Sequence, residues 1–358
     1  MEHRIDAWLI LAVAGILGAS LVTQNAVAGV VGPQLLARQL LWACAGMLTL
    51  LALSRVRLDL YARAAPLVYL IGLAALVAVL FFGEIRSGTR GWFAMGPLTI
   101  QPSEFARVAT ILMVAAWLGR RSGPGLSAKE AAVLVALVGA TAGLVALEPD
   151  LGVTLTYLPV AVAALWIGGL PRRAWIGLIA LGILVGVFAW QTVLKDFQKE
   201  RVMTVLDPER DPYGVGYQVR QSKIAVGAGG LAGQGVGHGS QSLLRFLPAQ
   251  HTDFAFAVWA EATGFVGATG LLLAYALLLY RIGMAAVVAE NRFGLVLAVL
   301  VCAWLAFQVV VNLGMVLGLL PTTGITLPLF SYGGSSILST CAALGAVQSV
   351  WRHRLVNQ

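Results

Sequence analysis

The chain has 358 residues, 59 % of them hydrophobic and only 11 % charged, with a mean hydropathy of +0.85 and a formal net charge of +8. A soluble fold of this size has too little interior to hide so much apolar surface, so the chain reads as a polytopic membrane protein. The basic balance fits loops against anionic lipid head groups, or an anionic lipid-linked substrate, rather than a nucleic-acid partner.

Ten apolar segments of spanning length follow in chain order: 6–23, 36–53, 66–83, 104–119, 129–147, 151–169, 174–193, 253–280, 294–319 and 335–350. A span needs about 20 residues. The sixth and tenth are short, and the eighth is long enough to tilt. The first has no small-residue cleavage site followed by a soluble body, so it reads as a retained helix. Cys44, Cys302 and Cys341 all lie inside apolar segments and read as buried thiols, with no spacing for a disulfide framework or a metal. The expected fold is an all-α bundle, one integral membrane domain over 1–358. Its one large loop, 194–252, lies between the seventh and eighth spans.

Basic residues set the orientation. With the amino terminus in the cytoplasm, Arg4, Arg55, Arg57, Arg63, Arg120, Arg121, Lys129, Arg172, Arg173, Arg281, Arg292, Arg352 and Arg354 all fall inside, 13 of the 24 lysines and arginines. The short outer loops and adjoining helix starts hold only Arg38, Arg86, Arg90 and Arg107. Both termini are therefore expected inside. Glu84, Glu104, Glu148, Asp150, Asp196, Glu200, Asp207, Glu209, Asp211 and Asp253 then fall outside; Glu2, Asp6, Asp59, Glu130 and Glu290 fall inside. Chemistry on the acidic outer side is cut off from ATP, so an enzyme there needs a substrate already activated, such as a lipid pyrophosphate.

The motifs lie on that outer side. In "GTRGWFAMGPLTIQPSEFAR" (88–107), Ser103 is placed to cap a helix starting at Glu104, and Arg107 to pair with Glu104 on one face. The pair is either a neutralised helix start or, with Arg90, a source of cations for an anionic head group. "EPDLGVT" (148–154) places Asp150 as the N-cap of the sixth helix. The loop 194–252 alternates charge with aromatic and aliphatic residues, the pattern of interfacial helices. Its "GAGGLAGQGVGHGS" is either a flexible turn or a backbone nest for phosphate, and has no Walker lysine.

"PAQHTDFAFAVWAE" (248–261) puts Asp253 at the mouth of the eighth span, where it can cap, and Glu261 about two turns deeper. The two are rotated about 80° apart, so they need not share a partner. His251 reads as a loop histidine. Gln308 and Asn312, four apart, are expected to hydrogen-bond another helix. In "NLGMVLGLLPTTGITLPLFSYGGSS" (312–336), Pro321, Gly324 and Pro328 break the helix, and Ser331 and Ser335 stand in a polar turn. Irregular backbone at membrane depth survives only where protein or a wet cavity satisfies it, so this loop is expected to line a cavity open to the outer side.

The motifs at 88–104, 148–154, 251–261 and 312–336, in this order and with ten spans, resemble the SEDS family (shape, elongation, division and sporulation proteins) over the whole chain. The compact tails look more like the elongation branch than the division branch. The resemblance implies a peptidoglycan glycosyltransferase of the bacterial cytoplasmic membrane. It would polymerise lipid II into a glycan strand on the outer face and support cell elongation and rod shape. It implies a class B penicillin-binding protein as partner, beside other elongation-complex membrane proteins, and places the family's essential aspartate on Asp253. On that reading Asp253 is the general base, and Arg90, Arg107, Arg220 and Lys223, with Glu104, Asp150, Ser331 and Ser335, bind substrate. A divalent cation such as Mg bridging carboxylate and pyrophosphate is compatible with it, although no spacing marks a metal site. Two other classes stay open: a lipid II flippase, and a non-catalytic scaffold for the transpeptidase. A transporter should show inverted repeats with paired broken helices, and no such pair is visible. A scaffold has no need of an acid at a cavity mouth.

Overall fold

The structure is a computed structural model that describes residues 5–354, apart from 87, 97, 124, 193, 208–210 and 212–213. Glu2, Arg4 and Glu209, which carry part of the charge pattern, lie outside the described residues. The first three apolar segments form α1 (Ala7–Val31), α2 (Gln34–Leu53) and α3 (Leu58–Phe82). Asp6 starts α1 by accepting from the backbone N–H groups of Trp8 and Leu9, satisfying donors that a helix start leaves open. The chain then makes three short antiparallel strands, β1 (Glu84–Arg86), β2 (Thr89–Met95) and β3 (Leu98–Ile100), in the order β1-β2-β3. This sheet corrects the all-α expectation. Its Thr, Trp, Phe and Ile suit a pleated surface, but the runs are too short to stand out beside the apolar spans.

The chain continues through α4 (Pro102–Gly119), α5 (Ala128–Leu147), the pair α6 (Leu151–Leu155) and α7 (Tyr157–Ile167), and α8 (Arg172–Thr192). The loop 194–252 holds α9 (Asp196–Leu206), α10 (Val215–Ala228) and α11 (Ser240–Leu243). Then come α12 (Ala255–Val287), α13 (Arg292–Val316) and α14 (Gly334–Arg352). Every one of the ten apolar segments coincides with a helix or helix pair, and among the described residues seven helices are long and apolar enough to cross a membrane. α13 is the most buried of those seven, packed by α12, α4 and α7. Around it α2 lies on α14, α3 on α4 and α1 on α12. Close approach of α14 to α2 requires Gly345, where a Cβ would stand 2.9 Å from the Leu50 carbonyl oxygen. α8, by contrast, buries none of its residues.

The length of the eighth span has a different cause from tilt. α12 is broken at Gly264, whose φ of 65° and ψ of −162° are open essentially to glycine alone. The backbone groups freed by the break pair with the glycine-rich turn. Gln234 N–H donates to the Glu261 carbonyl (2.9 Å) and Gly235 N–H to that of Ala262 (3.0 Å); Phe265 N–H returns a bond to Gly230 (2.8 Å) and Val266 N–H one to Leu231 (3.2 Å). A Cβ at Gly264 would fall 2.3 Å from Gly233 N, so the turn has no room for side chains where it meets the helix. Glu261 is explained by the same junction. Its buried carboxylate accepts from the N–H groups of Gln241 (2.7 Å) and Ser242 (3.2 Å) at the start of α11.

Gly264→Ala is expected to lower the thermal midpoint in detergent, the strained dihedrals alone costing roughly 1–3 kcal/mol. Gly270→Ala, where a Cβ meets nothing within 4 Å, should leave it unchanged. Equal midpoints for the two variants would show that the break does not depend on glycine.

Candidate active site

Asp253 stands just before α12, on a segment pinned from several helices at once. Asn312 Nδ2, from α13, donates to the carbonyl oxygens of Asp253 (3.0 Å) and Ile325 (2.8 Å). Ser331 Oγ donates to the Thr252 carbonyl (2.6 Å) and accepts from Leu327 N–H (2.9 Å). The His251 carbonyl takes Tyr332 N–H (2.9 Å) and Gln24 Nε2 from α1 (3.2 Å). Two irregular segments, 248–253 and 321–333, are thus fixed to one another by side chains that the spans present to them. Asn312 bonds loop carbonyls rather than another helix. Gln308, expected to behave like it, is buried with its Oε1 unpartnered among the described residues.

The Asp253 carboxylate does not cap α12, contrary to the sequence expectation: the N-cap is Phe254, with no side-chain cap bond. The half-buried carboxyl takes a hydrogen bond from the Thr252 side chain and lies within electrostatic reach of Arg201 on α9 and Asp150. Burial raises its pKa, and Asp150 adds to the rise. Gly324 leaves the space beside it open; a Cβ there would come no nearer than 3.9 Å to Oδ2.

Asp150 caps α6 as expected, accepting from Val153 N–H (3.0 Å), and also takes Gln101 Nε2 (3.2 Å). Its pKa is raised, chiefly by burial. α6 lies directly on the 321–333 segment, since a Cβ on Gly152 would stand 2.3 Å from the Thr323 carbonyl oxygen. That contact brings Asp150 and Asp253 to one place.

Other expected site residues serve differently. Ser103 is not a cap; α4 starts at Pro102 with Gln101 as N-cap, and the Ser103 hydroxyl is buried without a partner among the described residues. Glu104 and Arg107 do form the expected ion pair, but Arg107 has no exposed surface. Its guanidinium also donates to Thr156 Oγ1 (2.9 Å) and lies 4.5 Å over the Trp304 ring, while Ser339 Oγ donates to Glu104 (3.1 Å). In this structure Arg107 is a buried brace and not a cation open to a head group. Ser335 Oγ, also buried, accepts Gln101 N–H (3.0 Å) and ties α14 to the start of α4. Arg90 is exposed on β2, with Nη1 3.4 Å from the Leu80 carbonyl oxygen at the end of α3. Arg220 and Lys223 are exposed on α10, Lys223 lying across Gly318. Sequence reasoning did not single out Arg201; one basic residue among seven in the loop carries no local signal. Among the described residues no group of three or more His, Cys, Asp and Glu side chains is placed to hold a metal ion, so the donor set does not fit a protein-built site.

Fold and site together define a polytopic helical membrane protein with carboxylates gathered around one loop junction and exposed basic residues on the neighbouring sheet and loop helix. Comparison with known proteins places it further. A sequence model of the family FTSW/RODA/SPOVE, described as cell cycle protein, matches residues 3–355, and the chain belongs to that family. Peptidoglycan glycosyltransferase MrdB of Escherichia coli (strain K12) is 39 % identical over 355 residues, 98 % of this chain and 94 % of that one. The probable peptidoglycan glycosyltransferase FtsW of Coxiella burnetii is 33 % identical over 355 residues, covering 96 % and 95 %. Among solved structures, a chain of a peptidoglycan synthase complex that coordinates polymerization and crosslinking superposes with a TM-score of 0.84 at 36 % identity, covering 99 % of both chains. The rod shape determining protein RodA of Thermus thermophilus superposes with a TM-score of 0.73 at 32 % identity, also covering 99 % of both.

The brace role of Arg107 is open to a stability measurement. Arg107→Ala leaves Glu104 buried without its cation and is expected to cost about 3–5 kcal/mol. The double variant Glu104→Gln/Arg107→Met should recover more than half of that in thermal unfolding. A loss under about 1 kcal/mol for Arg107→Ala would mean that the pair behaves as a surface ion pair.

Proposed function

We propose that Asp253 is the general base of a lipid II polymerase. The chain is a peptidoglycan glycosyltransferase, as its full-length relatives are named. The Asp253 carboxylate takes the proton from the sugar 4-hydroxyl of the acceptor. The freed oxygen bonds to the anomeric carbon of the donor. The bond from that carbon to the pyrophosphate breaks, and the lipid pyrophosphate leaves with the electron pair. A carboxylate placed in this way is worth roughly 10²–10⁴-fold in rate. Arg90, Arg220 and Lys223 are the exposed cations available to the leaving charge, with Arg201 nearer the base.

One observation carries the assignment. Asp253 is the carboxylate at the junction that caps no helix, while its backbone is held by Asn312 and its oxygen faces the gap at Gly324. Glu104, Asp150 and Glu261 are all committed to structural partners, and Glu148 has no exposed surface. The orientation belongs to the same proposal: ten spans, both termini cytoplasmic, and the site on the wall side of the cytoplasmic membrane. Pairs such as Asp6–Arg281 (2.8 Å) and Arg121–Glu130 (2.5 Å) join segments that the charge pattern puts inside, away from the carboxylate junction. A class B penicillin-binding protein as cross-linking partner fits the likeness to a peptidoglycan synthase complex.

Purified protein with its transpeptidase partner, given labelled lipid II, is expected to make polymer, and Asp253→Ala or Asp253→Asn to make none while keeping its thermal midpoint. Turnover by either variant near that of the parent would remove the assignment. The base must be ionised, and its pKa lies above the ordinary aspartate value of 3.8. Polymerisation should therefore fall on acidification sooner than a solvent-exposed aspartate would allow. An acid limb at or below the ordinary value would contradict the buried setting of the base.

A further inference from the structure

The turn that supplies Asp150 carries a second carboxyl for which the reaction has no use. Glu148 ends α5 and has no exposed surface. Neither of its carboxyl oxygens has a hydrogen-bond partner among the described residues. Its surroundings offer no compensation. Asp150, from the same turn, repels an anion at 148 and spends its own oxygens on Val153 and Gln101. On α4, Arg107 is consumed by Glu104. Tyr157 on α7 lies within reach of Glu148 but sends its hydroxyl to the Ser103 carbonyl (3.4 Å), and Tyr69 on α3 sends its own to that of Leu137 (2.7 Å). From the sheet the neighbour is bare backbone: a Cβ on Gly91 would fall 2.7 Å from Glu148 Oε2. Arg90, next in the chain, turns its exposed side chain to the end of α3 instead. An anion at 148 would be desolvated, unpaired and beside another carboxylate. A carboxyl in that position holds its proton.

We propose that Glu148 is a positioning residue: as an uncharged acid it seats the Gly91 strand, and with it Arg90, against the Asp150 end of the site, and its ionisation unseats them. The proposal rests on the polymerase reading only for its activity readout. Burial first, then Asp150, pushes the Glu148 carboxyl up to about 8. The folded chain therefore keeps a proton that the unfolded chain gives up at the ordinary carboxylate value of 4.5. Stability from this group is complete below that value and declines as pH rises toward about 8, the opposite of an ion-paired carboxylate.

The test uses the full-length protein in lipid nanodiscs between about pH 6 and about pH 9.5, a range that brackets the raised pKa. Amide hydrogen exchange over residues 84–100, corrected for its intrinsic pH dependence, is followed beside lipid II polymerisation. The parent should lose about tenfold in sheet protection for each pH unit up to about 8 and level off above it, with polymerisation falling over the same range. Glu148→Gln, which keeps the shape and cannot ionise, should hold both flat across that range. Flat protection in the parent, or the same loss in Glu148→Gln, would overturn the proposal. Exchange needs no turnover, so the two readings fail separately. An active Asp253→Asn beside an intact exchange switch sinks the base and leaves Glu148 standing.

Discussion

Backbone that is neither helix nor sheet can lie among membrane helices only if each polar group finds a partner, and here the partners are side chains that the spans supply. Asn312 is the central one, since a single amide joins the carbonyl of Asp253 to that of Ile325. Ser20 and Gln39 extend the network: Gln39 Nε2 donates to Ser20 Oγ (2.8 Å) and to the Ser331 carbonyl (3.3 Å). Tyr275 adds a bond from its hydroxyl to the Pro328 carbonyl (2.7 Å). An unpaired group at such depth costs several kcal/mol, so the network is a condition of the fold as well as of the site. It fixes the backbone on both sides of the reactive carboxyl while leaving the carboxyl itself uncommitted.

Charge is distributed on the same principle. Carboxylates that support the fold have donors: Glu104 has Arg107, Asp150 has the start of α6, and Glu261 has the start of α11. Asp253 has little beyond its neighbour Thr252 and the field of Arg201, and burial keeps its basicity above that of a surface aspartate. A stronger base on a rigid backbone is what proton removal from a sugar hydroxyl requires. The broken α12 serves that rigidity. The short segment 255–263 is held to the glycine-rich turn by main-chain bonds, so the residue at its mouth stands on a braced stub and not on the end of a freely tilting span.

Much of this was legible in the residues. The ten apolar segments all became helices because uninterrupted runs of Leu, Val, Ala and Ile leave the backbone few alternatives in lipid. Asp150 as a cap and Glu104 with Arg107 as a pair follow from local spacing, and both are present. What was not legible depends on partners far away in sequence. Gly264, Gly267 and Gly270 look alike in "ATGFVGATG", and only the docking of residues 230–235 selects the first as the break. Arg107, paired with Glu104, still looked open to a head group; Trp304 and Thr156 close over it. Glu148 read as part of a motif; its isolation appears only when Gly91 is packed against it. The sheet at 84–100 was missed because strands this short carry little pattern of their own.

The side of the membrane from which position 253 is reached tests the placement of the reactive carboxyl most directly. With Cys44, Cys302 and Cys341 replaced, Asp253→Cys in intact cells stripped of their outer membrane should react with a membrane-impermeant maleimide added from outside. A thiol at 253 that stays unlabelled until the cytoplasmic membrane is opened would put the carboxylate on the wrong face for wall synthesis.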